Sequence, residues 1–245
     1  MTTPLFPGGV AASRLRVYDW PDADGVPGGS PHLHTASSEG YIVLSGFGEV
    51  HTLTPDGLAV TPLADGVTVW FSPGTVHRLV NHDRLELLVV MQNAGLPEAG
   101  DAVLTFPSDI LDDAAAYRAA AALPDTGDEK TLATAARARR DLALAGYAEL
   151  LAAVESDGPA MALAALHTRA ARLVRPRVAA WSALWEATVA RETERTRAQL
   201  DALATADAGI LGDARVARAD AEPGERFGMC GRLRVWPRAE ALPAR

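Results

Sequence analysis

The sequence predicts an α+β protein: an antiparallel β-barrel, then a mainly α-helical extension, then a C-terminal β-like run. Three observations carry that prediction. Short β-rich runs punctuated by glycine and proline fill the first 105 or so residues, helical periodicity takes over from about Ser108, and a β-like run reappears at Arg226–Trp236. The expected organisation is a barrel at 1–105, a helical extension at 106–210, and a loop with a C-terminal strand at 211–245.

The expected strands are Arg14–Tyr18, His32–His34, Gly40–Leu44, Glu49–Leu53, Val67–Phe71, His77–Val80 and Leu85–Gln92. Turn signals separate them at Pro55-Asp56-Gly57, Asp65-Gly66, Ser72-Pro73-Gly74 and Asn81-His82-Asp83. Short strands at such intervals read as an antiparallel sandwich or barrel. The helical half opens with the stripe Ile110, Ala114 and Tyr117, which stops near Leu123-Pro124. A second helix starts after Thr126 or Asp128 and carries Leu144, Tyr147, Leu151 and Val154 on one face. Asp157-Gly158-Pro159 breaks it, with Pro159 suited to the first turn of a third helix holding Leu163, Leu166 and Leu173. A fourth runs from Pro176 to about Thr205 with Trp181, Leu184, Trp185, Val189, Leu200 and Leu203. Arg232–Trp236 resembles Arg14–Tyr18. That likeness reads either as arginine-rich composition or as two edge strands, the C-terminal one pairing onto the barrel.

Composition excludes several classes of function. A net charge of −8 argues against nucleic acid or an anionic membrane recognised by bulk charge, and acidic side chains outnumber basic ones over 107–210. Cys230 is the single cysteine, so an intramolecular disulfide, a thiolate zinc cluster and an iron–sulfur site are all ruled out. Met1–Val10 has neither the basic start nor the apolar stretch of a secretory signal. No run approaches the roughly 20 apolar residues of a membrane helix. The expectation is a cytoplasmic protein acting on a small molecule. The stripe Arg169, Arg172 and Arg175 reads first as a solvated face, second as an anion-binding patch.

Five of the six histidines lie within the first 82 residues. His32 and His34 are two apart, so on a strand they leave the same face with Cα atoms about 7 Å apart. Two imidazoles on that baseline can lean onto one ion, and Glu39 follows within reach of a tight loop to add an anionic oxygen.

These residues resemble the cupin family. Its first motif contains His-x-His, three or four residues, Glu, six residues, then Gly; here stand His32-Leu33-His34, four residues, Glu39, six residues and Gly46. Its second motif spaces Gly, Pro-x-Gly, His and Asn as Gly66, Gly74, His77 and Asn81 are spaced here. Ser72 replaces the family's proline, with Pro73 one later, and Val26 beside Gly25 stands at the leading glycine of the first motif. The resemblance covers about residues 12–95. It implies a double-stranded β-helix (jelly-roll) barrel in which His32, His34, Glu39 and His77 hold one divalent metal ion. Three neutral nitrogens and a carboxylate suit Fe, Mn, Ni, Co, Cu or Zn, with positions left open for water and substrate.

Around that ion, strand alternation from Glu39 places Tyr41 inward, where its hydroxyl could meet a substrate; His51 and Gln92 are the other pocket candidates. Cupins with this ligand set include dioxygenases, isomerases, epimerases and decarboxylases, so the resemblance implies an enzyme with a metal-bound small organic substrate. The alternative is a small-molecule-binding or sensory cupin without catalysis, regulatory in role. The helices are expected to pack on the barrel or to form a homodimer interface.

Overall fold

The computed structural model describes residues 6–21 and 25–236; the outer ends of the first and third expected segments, residues 1–5 and 237–245, lie outside the described residues. Among the described residues, nine strands form one antiparallel sheet that bends over itself without closing. They are β1 (Ala11–Val17), β2 (His32–His34), β3 (Glu39–Thr54), β4 (Gly57–Leu63), β5 (Thr68–Phe71), β6 (Val76–Met91), β7 (Ala102–Leu104), β8 (Arg226–Phe227) and β9 (Gly231–Val235). The helices α1 (Ser108–Asp112), α2 (Ala114–Ala121), α3 (Glu129–Asp157), α4 (Pro159–Val174), α5 (Val178–Trp185) and α6 (Arg191–Ala204) lie between β7 and β8. Among the described residues, no helix is long and apolar enough to cross a membrane.

The two longest strands correct the sequence reading. Gly40–Leu44 and Glu49–Leu53 are one strand, β3, and His77–Val80 and Leu85–Gln92 are one strand, β6. The two pair along their lengths, with register shifts between Val43 and Gly48. Asn81-His82-Asp83 is therefore not a turn between strands. The irregularity is absorbed at Gly46, whose φ is +74° and where a Cβ would lie 2.3 Å from the carbonyl oxygens of Asp83 and Arg84. Only glycine tolerates both the conformation and the approach. Strand β4 escaped the sequence reading because it is an edge strand with Leu58, Ala59 and Val60 all exposed, so no alternation marks it.

Both β-like arginine runs are strands, and they pair with each other: Arg14 faces Arg234, Leu15 faces Leu233 and Arg16 faces Arg232. Like charges directly opposite are unfavourable. Three of the four guanidiniums take an acid elsewhere, Arg14 on Glu86 at 2.5 Å, Arg16 on Glu225 at 2.5 Å and Arg232 on Glu129.

The helices follow their caps. Asp113 accepts from the backbone N–H of Ala115 and Ala116 at the start of α2, and Asp128 accepts from Thr131 at the start of α3. Gly158, at φ +83°, ends α3, and Pro159 opens α4. The expected fourth helix is continuous in direction but not in pitch: a π-helical turn at Glu186–Ala190 separates α5 from α6.

Two cores result. One lies inside the sheet and is built from Val43, Val50, Leu63, Leu79, Leu85 and Leu87; the other joins the outer face of the sheet to α2–α5 through Leu33, Leu53, Val76, Phe106, Leu163 and Trp181. Helix α3 comes close enough to seal the second core because Gly146 crosses over the backbone of Thr105–Pro107; a Cβ there would sit 2.2 Å from the Thr105 oxygen. Arg140, 2% exposed, donates to the carbonyls of Trp20 and Pro21 and ties α3 to the chain leaving β1.

Candidate metal centre

Strand alternation divides labour along β2 and β6. His32 and His34 point to the inside of the sheet, while Leu33 between them packs into the outer core with the helices. His77 points inward and Val76 outward in the same way. The register pairs His32 with His77 across β2 and β6, and Glu39 opens β3. The local β geometry of three separate segments thus brings four side chains to one place. Their candidate ligand atoms all lie within 4.8 Å of one another.

Each histidine is held from behind through Nδ1. His32 Nδ1 lies 2.9 Å from the Ser30 carbonyl oxygen, His77 Nδ1 3.1 Å from the Thr75 carbonyl oxygen, and His34 Nδ1 2.7 Å from Asp101 Oδ1. A carbonyl oxygen can only accept, so His32 and His77 carry their proton on Nδ1. In the neutral rings, Nε2 then presents a lone pair. His32 Nε2 and His77 Nε2 are 3.2 Å apart, and Glu39 Oε2 stands 3.0 Å from His77 Nε2 and 3.3 Å from His34 Nε2. Glu39 Oε2 makes no hydrogen bond of good geometry in this position.

Lone pairs turned on one another at such distances repel unless a positive charge sits among them. One way to supply it is a proton. Burial works against a charged His34, but the hydrogen bond to Asp101 and the nearby Glu39 carboxylate outweigh burial and raise its pKa to about 10. Burial, with His77 and His34 beside it, drives His32 well below the usual imidazole range. Glu39 is pushed up by burial, yet His77 and His34 hold it well below the usual carboxylate range. The other way is a divalent cation, for which three imidazole nitrogens and one carboxylate oxygen are a fitting donor set. The residues present therefore fit a metal. All four are buried, with His77 1% and His34 8% exposed.

The pocket candidates fare differently. Tyr41 is fully buried on the same face as Glu39, with its ring 6.3 Å from His77 and its hydroxyl lacking a partner among the described residues. Burial, then the charge of Glu39, raises its pKa well above the usual phenol value. His51 is turned to the other side of β3, where its Nε2 lies 3.0 Å from Glu49, and the same carboxylate takes His82 at 2.7 Å. Gln92 follows β6 and is exposed; its backbone N–H donates to the Ser38 carbonyl, and its side-chain oxygen accepts from the Ser38 N–H. It thus holds the loop between His34 and Glu39 and does not enter the cluster.

Two residues close to the cluster were not among the site candidates of the sequence reading. Asp101 lies 67 positions from His34, and Cys230, whose sulfur is 3.9 Å from His32 Nδ1, lies 198 positions away. Neither belongs to a motif, so no local signal could have found them.

Residues 22–91 match the family model described as "Cupin domain". No curated protein sequence matches the chain. Among solved structures, the chain is similar to a double-stranded β-helix protein from Klebsiella pneumoniae, at 20% identity over 35% of this chain and 67% of that one, with a TM-score of 0.27. It is similar to an oxalate decarboxylase variant from Bacillus subtilis at 17% identity, over 40% of this chain and 25% of that one, with a TM-score of 0.34. A sugar 3,4-ketoisomerase from Thermoanaerobacterium thermosaccharolyticum, in complex with TDP, is 15% identical over 40% of this chain and 89% of that one, with a TM-score of 0.29.

Proposed function

We propose that this chain, a member of the cupin superfamily through the domain at residues 22–91, is a metal-dependent enzyme acting on a small organic molecule bound at a mononuclear divalent centre. One observation carries the reading. All three histidines are pinned through Nδ1, which leaves three Nε2 atoms and the Glu39 carboxylate aimed at one point. His32, His34, Glu39 and His77 would hold the ion. When bound, it would supply Lewis-acid polarisation of a substrate oxygen.

The chain's own groups set the surroundings. Phe71, with its ring 4.4 Å from His77, and Tyr41, 5.4 Å from Phe71, wall the site with aromatic surface and exclude water. In this reading Tyr41 is the polar group in that wall, offering its hydroxyl as a hydrogen-bond donor to a substrate oxygen. Gln92 and Asn93 steady the approach: Asn93 Nδ2 donates to the Ala36 carbonyl, in the loop that joins His34 to Glu39. His51, on the opposite side of β3, has no part in contacting the substrate.

The test is elemental analysis of freshly purified protein beside a His32→Ala/His34→Ala variant. The expected result is about one ion per chain, lost in the folded variant. Wild-type protein that folds without metal and ignores added Fe, Mn, Ni and Zn overturns the proposal.

A further inference from the structure

We infer that Asp101 is a positioning residue of the metal centre, fixing through His34 the strength and direction of one of its nitrogen donors; the inference rests on the metal-dependent reading above. The three histidines are not supported alike. His32 and His77 each lean on the carbonyl oxygen two residues earlier, which the segment leading into their own strand delivers at no further cost. His34 alone leans on a carboxylate, 2.7 Å away and from a segment far off in sequence.

Among the described residues that carboxylate has no other hydrogen-bond partner. The backbone of Asp101 already ties the segment down: its N–H donates to the Leu96 carbonyl, and its carbonyl accepts from both the N–H and the hydroxyl of Thr35. The side chain is fully buried, and its second oxygen has no hydrogen-bond partner among the described residues. Burying an ionisable group with one oxygen unpaired costs free energy that a turn-former of the same backbone shape would avoid. The single contact that accounts for it is His34 Nδ1. A carboxylate there keeps the Nδ1 proton in place, locks the ring plane, and makes Nε2 a stronger donor than the carbonyl-backed rings provide. Asp101 touches no substrate in this scheme; it acts only through His34.

The experiment titrates Zn2+ and Co2+ into metal-free wild type, Asp101→Asn and Asp101→Ala, and records electron paramagnetic resonance of the Cu2+-loaded forms. Outer carboxylate partners of ligating histidines are typically worth about 10–100-fold in metal affinity. Asp101→Ala should weaken Zn2+ by that amount. Asp101→Asn, which keeps an oxygen for the Nδ1–H but removes the charge, should fall between and shift the Cu2+ hyperfine pattern. If Asp101→Ala does not fold, Asp101→Asn decides alone. Wild-type affinity and an unchanged Cu2+ signal in folded Asp101→Asn overturn the inference while leaving the metal reading intact. Failure of wild type itself to bind any of the three metals overturns both.

Discussion

The two cores of this protein bury different things. Inside the sheet, among apolar neighbours, lie His32, His34, Glu39, His77 and Asp101, ionisable groups stacked against one another. Between sheet and helices the buried side chains are almost all apolar or small, with Arg140 the one charged exception on the helices. The difference teaches where each half contributes. A buried ionisable cluster costs stability, and it is kept where a bound ion offsets that cost or a function needs the groups. An apolar seam stabilises by burial alone, at roughly 25 cal/mol per Å2. In the proposed reading the inner core holds the chemistry, and the outer core, through Leu33 and Val76, holds the strands that carry it.

The sharpest way to break that contrast is a matched pair of truncations. Leu79→Ala in the inner core and Leu163→Ala in the outer core remove side chains of equal size, both at most 1% exposed. Each is expected to cost about 2–5 kcal/mol in chemical denaturation. Only Leu79→Ala, two residues from His77 on the same strand face, should also lower metal content under conditions where both variants are folded. Equal metal loss in both would mean that the two cores are not separable.

Arg140 tests the seam from its polar side. In Arg140→Met the carbonyls of Trp20 and Pro21 lose their donor while the apolar length of the side chain is kept. About 1–3 kcal/mol of destabilisation is expected for each carbonyl that stays dry, read as a lower denaturation midpoint with an unchanged slope. A variant as stable as wild type would show that water reaches this end of α3.

The smallest effect concerns pH and spans both cores. All four tyrosines, Tyr18, Tyr41, Tyr117 and Tyr147, have phenols raised above their ordinary value chiefly by burial. Because the folded-state pKa is the higher one, the stability these groups contribute is fully present below about pH 10 and drains away as the pH rises beyond it. Absorbance at 295 nm should show no phenolate while the protein is folded, then all four ionising together with loss of circular dichroism. Gradual ionisation of folded protein near pH 10 would place at least one phenol in contact with water.

Much of the site was legible in the sequence because its determinants are local. The period of a strand puts His32 and His34 on one face whatever else the chain does. The spacing to Glu39 and the second run ending in His77 follow a motif that short turns can satisfy. Gly46 was legible only as a motif position, since the Asp83 and Arg84 carbonyls that exclude a Cβ there come from the partner strand. The helix boundaries at Asp128 and Gly158–Pro159 were likewise written in capping chemistry. The merging of two expected strands into β3, and two more into β6, was not, since a bulge looks like a turn until its partner strand is known.

What the sequence by itself determined, then, is which side chains can share a face and where helices start and stop, properties set by backbone geometry over a few residues. The groups that stand behind those side chains depend on long-range packing. Asp101 behind His34, Cys230 beside His32, β9 against β1 and α3 against Thr105–Pro107 are contacts across 38 to 222 positions. No local preference specifies such pairings; they exist because distant segments close around two packed cores, where each group meets the neighbour that the global fold leaves beside it.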